Sequence, residues 1–511
     1  MKIKYSIILV SIFTLISTSC NDFLNVKGQG KPDPSTYPQL ASDLVVGAYN
    51  GLLEGDPFGY GDVHGFAFIS ATNIMSDDAD KGSTSLDQAS TTGQFDEFTL
   101  STSNQFCETL WTGHYNAIGN TNKALAALAA LTPTQMDPAL KYRYYGEMRF
   151  LRAYLYFNLV RMYGGVPLVL RVAADATDAA SDTFTKRADA SVVYDSIIND
   201  LTFAQKHLPL KSAAEAPGRA TKGAAQGLLS KVYLYKENWA QAFAWSDSVI
   251  NSGQYSLVAD YALQFRQAGN NGPESLFEIQ TGTFNNAPLR IDNYTDSQGP
   301  RATAGWNDLG WGFNDPSVSL INSYEVGDLR KDATIIFIDN SGTHKGTILW
   351  DGFRIPSSDS VQNLYYNYKT YTSSTDPFGP HGSTETYTNP SDKDRAKNVI
   401  ILRYADVLLI NAEAAVQLGS GDALTPINLI RQRAGLSTKG SVTLADIKQE
   451  RHVELAMEDD RFWDLVRWGD AETVMHAAGK TNYMAGRNEL LPIPLIQILL
   501  SGNKLKQNPN Y

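Results

Sequence analysis

Carboxylates are the residues through which this chain would most readily do chemistry, and they concentrate in one place. Glu450, Glu454, Glu458, Asp459, Asp460 and Asp464 fall within fifteen residues, interleaved with Arg451 and Arg461. Two carboxyls ~5–9.5 Å apart are enough for glycoside hydrolysis, one as acid and one as nucleophile or base. Yet Glu450, Glu454 and Glu458 stand one helical turn apart, and Arg461 is three residues past Glu458. Alternating signs at those steps describe a helix-end ion-pair network first and a catalytic pair second. Phe462, Trp463, Val466 and Trp468 are interleaved there, so the helix is expected to be half-buried. A second acidic group, Asp77, Asp78 and Asp80 beside Lys81, lacks the alternating spacing, central Gly and closing Glu of a calcium loop, so no metal is assigned to it. Asn73, Asp77, Asp78 and Lys81 suit sugar hydroxyls equally well.

Other catalytic patterns are missing. The seven histidines form no zinc-protease helix, and there is no Gly-x-Ser-x-Gly elbow and no phosphate loop. Gly59, Gly61 and Gly65 miss the dinucleotide spacing by one. No catalytic residue and no cofactor is assigned.

Aromatic residues reach 11% of the chain, and recognition is the chemistry they would do. Trp306, Trp311 and Phe313 lie within eight residues among Gly310, Gly312 and Pro316, which places them on a loop. Tyr294 joins them from one side, and Trp350, Tyr365, Tyr366 and Tyr368 come from neighbouring segments. A sugar ring stacks its C–H face on such side chains while Asp, Asn and Lys take its hydroxyls. Tyr60 and the loop carrying Asn73, Asp77, Asp78 and Lys81 would complete the rim. The competing reading pins Trp311 and Phe313 under the loop as a small core, which leaves Trp306, beside Asn307 and Asp308, as the better platform. Two or three stacked faces at ~0.5–1.5 kcal/mol each suit millimolar to micromolar binding.

Helices must position these loops. From 41 to 255 helical periodicity dominates. From 256 to 395 Gly, Asn, Thr, Ser and aromatics crowd together, and turn signals such as Asn271-Gly272 and Asp351-Gly352 recur. A C-terminal part runs from 396 to 511: periodicity returns over about 398 to 475, and a Pro/Asn-rich tail closes the chain. Leu229, Ser230, Tyr233, Trp239 and Ala242 sit at the offsets of a tetratricopeptide hairpin, and Ala405 to Ala434 repeats a looser version. The expected fold is mainly α, with tetratricopeptide-type hairpins packed as one body, a long irregular insertion on its face and few short strands. The helical aromatics, Trp111, Tyr115, Tyr154, Tyr233 and Trp239, are expected in the core.

Composition narrows the remaining classes. Across 511 residues, 43% hydrophobic and 19% charged residues exclude disorder, and a net charge of −11 with scattered basic residues argues against nucleic acid. Lys2 and Lys4 precede an apolar stretch of ten residues, Ile7 to Ile16, then Ser17, Thr18, Ser19 and Cys20. That is too short to span a bilayer and fits a secretory signal. Cys20 resembles the acylated cysteine of a bacterial lipoprotein, with Ser17 in place of the usual Leu. Residues 1–20 are therefore read as signal and lipid anchor, and 21–40, rich in Gly and Pro, as a tether. Acylation would leave Cys107 without a disulfide partner.

These pieces together resemble the SusD/RagB-like outer-membrane lipoproteins. The carriers are Cys20-Asn21-Asp22-Phe23-Leu24, then Glu147 to Pro167, then Glu413-Ala414 with Asn428 to Gly435. Arg451, Glu454-Leu455, Glu458, Arg461, Asp464-Leu465 and Arg467-Trp468-Gly469 are similar to the most specific helix of that family. Leu491-Pro492-Ile493-Pro494 and Gln507 to Tyr511 are like its terminus, with Asn510 where Gly is usual. The resemblance implies a non-enzymatic, surface-exposed, lipid-anchored protein of the outer membrane. Such a protein would capture oligosaccharide or polysaccharide and pass it to a SusC-like TonB-dependent transporter. A glycoside hydrolase, a protein-binding scaffold and a binding subunit for a nutrient such as peptide are the alternatives.

Overall fold

The computed structural model describes residues 37–53, 62–284, 287–289, 292–303, 309–338, 347–355, 357–372 and 397–511. Six longer helices build the first part: α1 (Gln39–Asn50), α2 (Gln105–Ala130), α3 (Pro138–Tyr163), α4 (Ala190–His207), α5 (Lys222–Tyr235) and α6 (Trp239–Ile250). Their starts are written in the sequence. Asn104 caps α2 by accepting from the Phe106 and Cys107 amides, and Asp137 caps α3 with Pro138 at its first position. Thr221 and Asn238 cap α5 and α6 in the same way.

Each helix packs on the next, and the stacking continues across the insertion. The C-terminal helices are α7 (Tyr404–Leu418), α8 (Leu424–Arg433), α9 (Leu444–Glu454) and α10 (Arg461–Trp468). α6 packs on α7, with Asn411 donating to Ser246 Oγ at 3.0 Å. Leu229, Ser230 and Ala242 are fully buried, and Tyr233 and Trp239 close over Leu234, Ile410 and Ala414. The mainly α, one-body architecture expected from the sequence is the observed one. One apolar core runs from Ala41 to Leu505 and takes in Trp111 and Tyr154.

Strands are short and occur as two-stranded pairs among the described residues. We number β1 (Ala79–Gly82), β2 (Ser275–Ile279), β3 (Phe313–Pro316), β4 (Ile335–Phe337), β5 (Thr347–Ile348), β6 (Arg354–Ile355), β7 (Tyr365–Asn367) and β8 (Val399–Arg403). All are antiparallel: β1 with β3, β2 with β8, β4 with β7 and β5 with β6. The insertion carries its own small core of Leu309, Ile336, Ile338, Leu349, Ile355, Val361, Tyr366 and Tyr371. That core fixes the loops which the helical body presents. No helix of the described residues is long and apolar enough to cross a membrane.

Candidate functional site

The carboxylate cluster is a saturated ion-pair network at the junction of body and insertion. Arg403 on β8 donates to Glu274 (2.7 Å), Glu454 (2.6 Å) and both oxygens of Glu458 (2.6 and 2.8 Å). Arg330 joins Glu450 (2.5 Å) to Glu454 (3.1 Å), and Arg467 holds Glu413 through two hydrogen bonds. Lys369, from the insertion, donates to Glu458 at 2.6 Å. Burial alone would raise the Glu454 pKa, but Arg433, Arg403 and Arg330 outweigh it and hold the carboxyl well below its ordinary range. A carboxylate so clamped is a poor proton donor; the expected single helix is corrected to two, α9 ending at Glu454 and α10 beginning at Arg461 with Glu458 in the bend between them, and the segment is more deeply buried than half.

Among the described residues, those expected to form a sugar-binding rim are not assembled into one. Cys20, Tyr60 and Trp306 lie outside the described residues. Asn73, Asp77, Asp78 and Tyr294 are buried, which corrects their placement on a solvent-facing rim. Asp77 receives two hydrogen bonds from Arg461 (2.7 and 2.9 Å), and Asp78 faces His452 Nε2 at 2.7 Å. Burial pushes the Asp77 pKa up, while Arg461 and His452 pull it down further, to about 2. Asp77, Asp78 and His452 bring their ligand atoms within 4.8 Å of one another, but the Arg461 guanidinium already occupies both oxygens of Asp77, so the group suits a metal ion poorly.

Asp459 collects the others. It accepts from Thr72 (2.7 Å), Asn73 (2.9 Å) and the Tyr294 hydroxyl (3.1 Å). Burial raises its pKa to about 7. Phe313 is buried against Phe66 at 4.7 Å between ring centroids, and Trp311 is half-buried on the same ring at 5.9 Å. Both rings join the main apolar core of the helical body, so the competing reading holds for their burial and is corrected for the small core of their own. Lys81 spends its ammonium on the carbonyls of Gly82, Thr84 and Asp87 and lies 5.6 Å over the Phe313 ring.

The aromatic surface lies one hairpin further on. β5 and β6 are joined by a tight turn in which the Gly352 amide donates to Leu349 (2.9 Å) and the Leu349 amide to Phe353 (2.8 Å). Gly352 adopts φ +86°, the left-handed conformation that glycine tolerates without strain. Trp350 sits at the tip and is 48% exposed. Its backbone N–H donates to the Tyr368 hydroxyl at 2.7 Å. The Arg266 guanidinium lies 4.4 Å from the Tyr368 ring centroid and 5.4 Å from that of Trp350. Tyr371 meets Trp350 edge-on at 6.5 Å and donates to Asp351 at 2.8 Å. The result is a ring fixed in place, with an arginine behind it and a carboxylate beside it. Such an exposed ring can stack the apolar face of a ring-shaped ligand, while both Asp351 oxygens already accept, from the Phe353 amide and the Tyr371 hydroxyl. Asp351-Gly352 announces the turn in the sequence; the neighbours that hold the tryptophan outward do not follow from it.

The chain is a stacked-helix body that presents an exposed tryptophan on a hairpin of its insertion. Sequence comparisons place it in a family. Residues 273–511 match the family model described as the SusD family, and residues 37–234 match one described as "Starch-binding associating with outer membrane". A SusD-like protein of Bacteroides ovatus is 30% identical over 73% of this chain and 68% of its own length. The chain belongs to the SusD family. Among solved structures, a laminarin-binding SusD-like protein is similar at 29% identity and TM-score 0.73, over 93% of this chain and 99% of its own. Surface glycan-binding protein A from Bacteroides fluxus is similar at 25% identity and TM-score 0.75, over 92% of this chain and 99% of its own.

Proposed function

We propose that this protein captures oligosaccharide or polysaccharide at the outer face of the outer membrane and passes it, uncleaved, to a SusC-like TonB-dependent transporter. The observation that carries the reading is the Trp350 platform, held outward by Arg266 and Tyr368 on a member of the SusD family. Cys20 is the proposed lipid anchor, and the transporter the proposed partner. Laminarin is the first ligand to try, because a similar solved protein bears that name. Two measurements on one preparation test the reading. Migration of the purified protein should be retarded in gels containing laminarin or another polysaccharide, and no reducing ends should be released from the retained polymer. Release of reducing ends would make it a hydrolase; free migration through every polysaccharide would overturn glycan capture.

A further inference from the structure

We infer that the chain has a second binding site, for one neutral sugar ring, in a cleft between the first half of α2 and the short helix Leu495–Leu500 near the C-terminus. It is a single cavity of about 310 Å³, at the ~300 Å³ where small-ligand sites begin. Its third wall is the connector between α3 and α4, through Pro167 and Phe184. Hydrogen bonds pin the three walls together. The Leu495 amide donates to the Thr102 carbonyl (2.9 Å), the Tyr115 hydroxyl to the Pro167 carbonyl (2.8 Å), and Arg187 to the Lys506 carbonyl (2.8 Å). The cleft is therefore formed before any ligand arrives. Leu500, 71% exposed, stands at its mouth.

Trp111 is the observation that points to a ligand. It is 4% exposed and lines the cleft. Tyr115 and Tyr163 hold its ring, each at 5.1 Å between centroids. Its indole N–H donates to no acceptor among the described residues. That of Trp245 is enclosed without a partner, whereas that of Trp111 keeps surface open to solvent. A donor left open in the wall of a cleft is satisfied by water or by an acceptor on a ligand. The side chains of Thr112, Asn116 and Gln497 line the same cleft and make no hydrogen bond to a described residue. These surroundings narrow the chemistry. Among the described residues no charged side chain lines the cleft, so a charged ligand would lose its hydration without gaining a partner. A pure hydrocarbon would cover four hydrogen-bonding side chains and pair none of them. A sugar hydroxyl accepts from Trp111 and both donates to and accepts from two amides and a hydroxyl. Phe184, half-buried with the Arg171 guanidinium 5.0 Å from its ring centroid, and Leu500 supply apolar surface for the C–H face of the ring.

The inference extends the glycan-capture reading, and its test is independent of Trp350. Saturation-transfer NMR of the purified protein with D-glucose, D-galactose and D-mannose reads the cleft, with D-glucuronate and D-glucosamine as charged counterparts. Transfer to at least one neutral sugar is expected, stronger than to either charged one. It should persist in Trp350→Ala. It should fall at least fivefold in Trp111→Phe, which removes the indole N–H, and in Gln497→Trp, which fills the cleft from a half-buried position. Circular dichroism confirms that each variant is folded; if Trp111→Phe is not, Gln497→Trp decides. Absence of transfer to all three neutral sugars, stronger transfer to a charged one, or transfer unchanged by Gln497→Trp overturns the second site. Retardation of the wild type in polysaccharide gels would still stand in each case, so the two readings fail separately.

Discussion

Replacing Trp350 by alanine should weaken glycan binding without unfolding the protein, and both halves can be sized. A tryptophan side chain offers ~250 Å², and Trp350 is 48% exposed. A sugar stacked on one face would hide about half of what remains, ~60 Å², worth ~1.5 kcal/mol at ~25 cal/mol per Å². Stacking geometry adds ~0.5–1.5 kcal/mol. The loss of ~2–3 kcal/mol corresponds to about a 30- to 150-fold rise in Kd. The turn is held by backbone hydrogen bonds and by the Trp350 N–H on Tyr368, which alanine keeps. Unfolding free energy should therefore change by less than ~1 kcal/mol, close to an ordinary surface substitution. Isothermal titration with the polysaccharide that retards the wild type gives the first number, and urea unfolding the second. A Kd within twofold of wild type would refute the placement of the site. A loss of binding accompanied by several kcal/mol of stability would refute the claim that the ring is a platform rather than a core residue.

Three further outcomes follow from the same geometry. Arg266→Ala removes the group stacked behind Tyr368 and Trp350 and should weaken glycan binding about 5- to 20-fold, as read by the same titration with Trp350 intact. Arg403→Met leaves Glu274, Glu454 and Glu458 short of a buried cation and should cost ~3–5 kcal/mol in urea unfolding; a cost below ~1 kcal/mol would contradict the network. Asp459 titrates near 7 when folded, against ~3.9 unfolded, so its contribution is complete below about pH 4 and is lost as pH rises through 7. The melting temperature of the wild type relative to Asp459→Asn should therefore fall between pH 5 and 8, whereas parallel curves would refute the shift.

Local rules made the scaffold legible. Caps at Asn104, Asp137, Thr221 and Asn238 and the small residues Ser230 and Ala242 are short-range signals, and the helices form where they say. The alternating charges of 450–468 likewise announce an ion-pair network. Asp77 and Asp78 mislead because a Gly/Ser/Asp-rich stretch reads as solvated, and the partners that bury them, Arg461 and His452, arrive from more than 370 positions away. Tyr294 is taken inside for the same kind of reason, by Asp459, 165 positions on. Trp350 is the converse case. Its turn is visible, but its outward setting depends on Arg266 and Tyr368, which no spacing rule connects to it.

A weak platform works only if it is rigid and close to its receiver, and the structure provides the first condition. Binding through one stacked face cannot afford to order a loop, since each ordered residue costs ~1–2 kcal/mol of backbone entropy. Here the ordering is done on folding. The hairpin grows from the separate core of Leu309, Ile336, Tyr366 and Tyr371, and that core is tied to the helical body through Lys369 and Arg403 on Glu458. Every ion pair in that junction therefore serves binding indirectly, by fixing the frame in which Trp350 waits. The second condition falls to the proposed lipid anchor, because tethering replaces intrinsic affinity with effective concentration. Tight binding would work against transfer to a transporter. An exposed, pre-set ring of modest affinity, carried on a scaffold that spends its charges internally, is what capture followed by release requires.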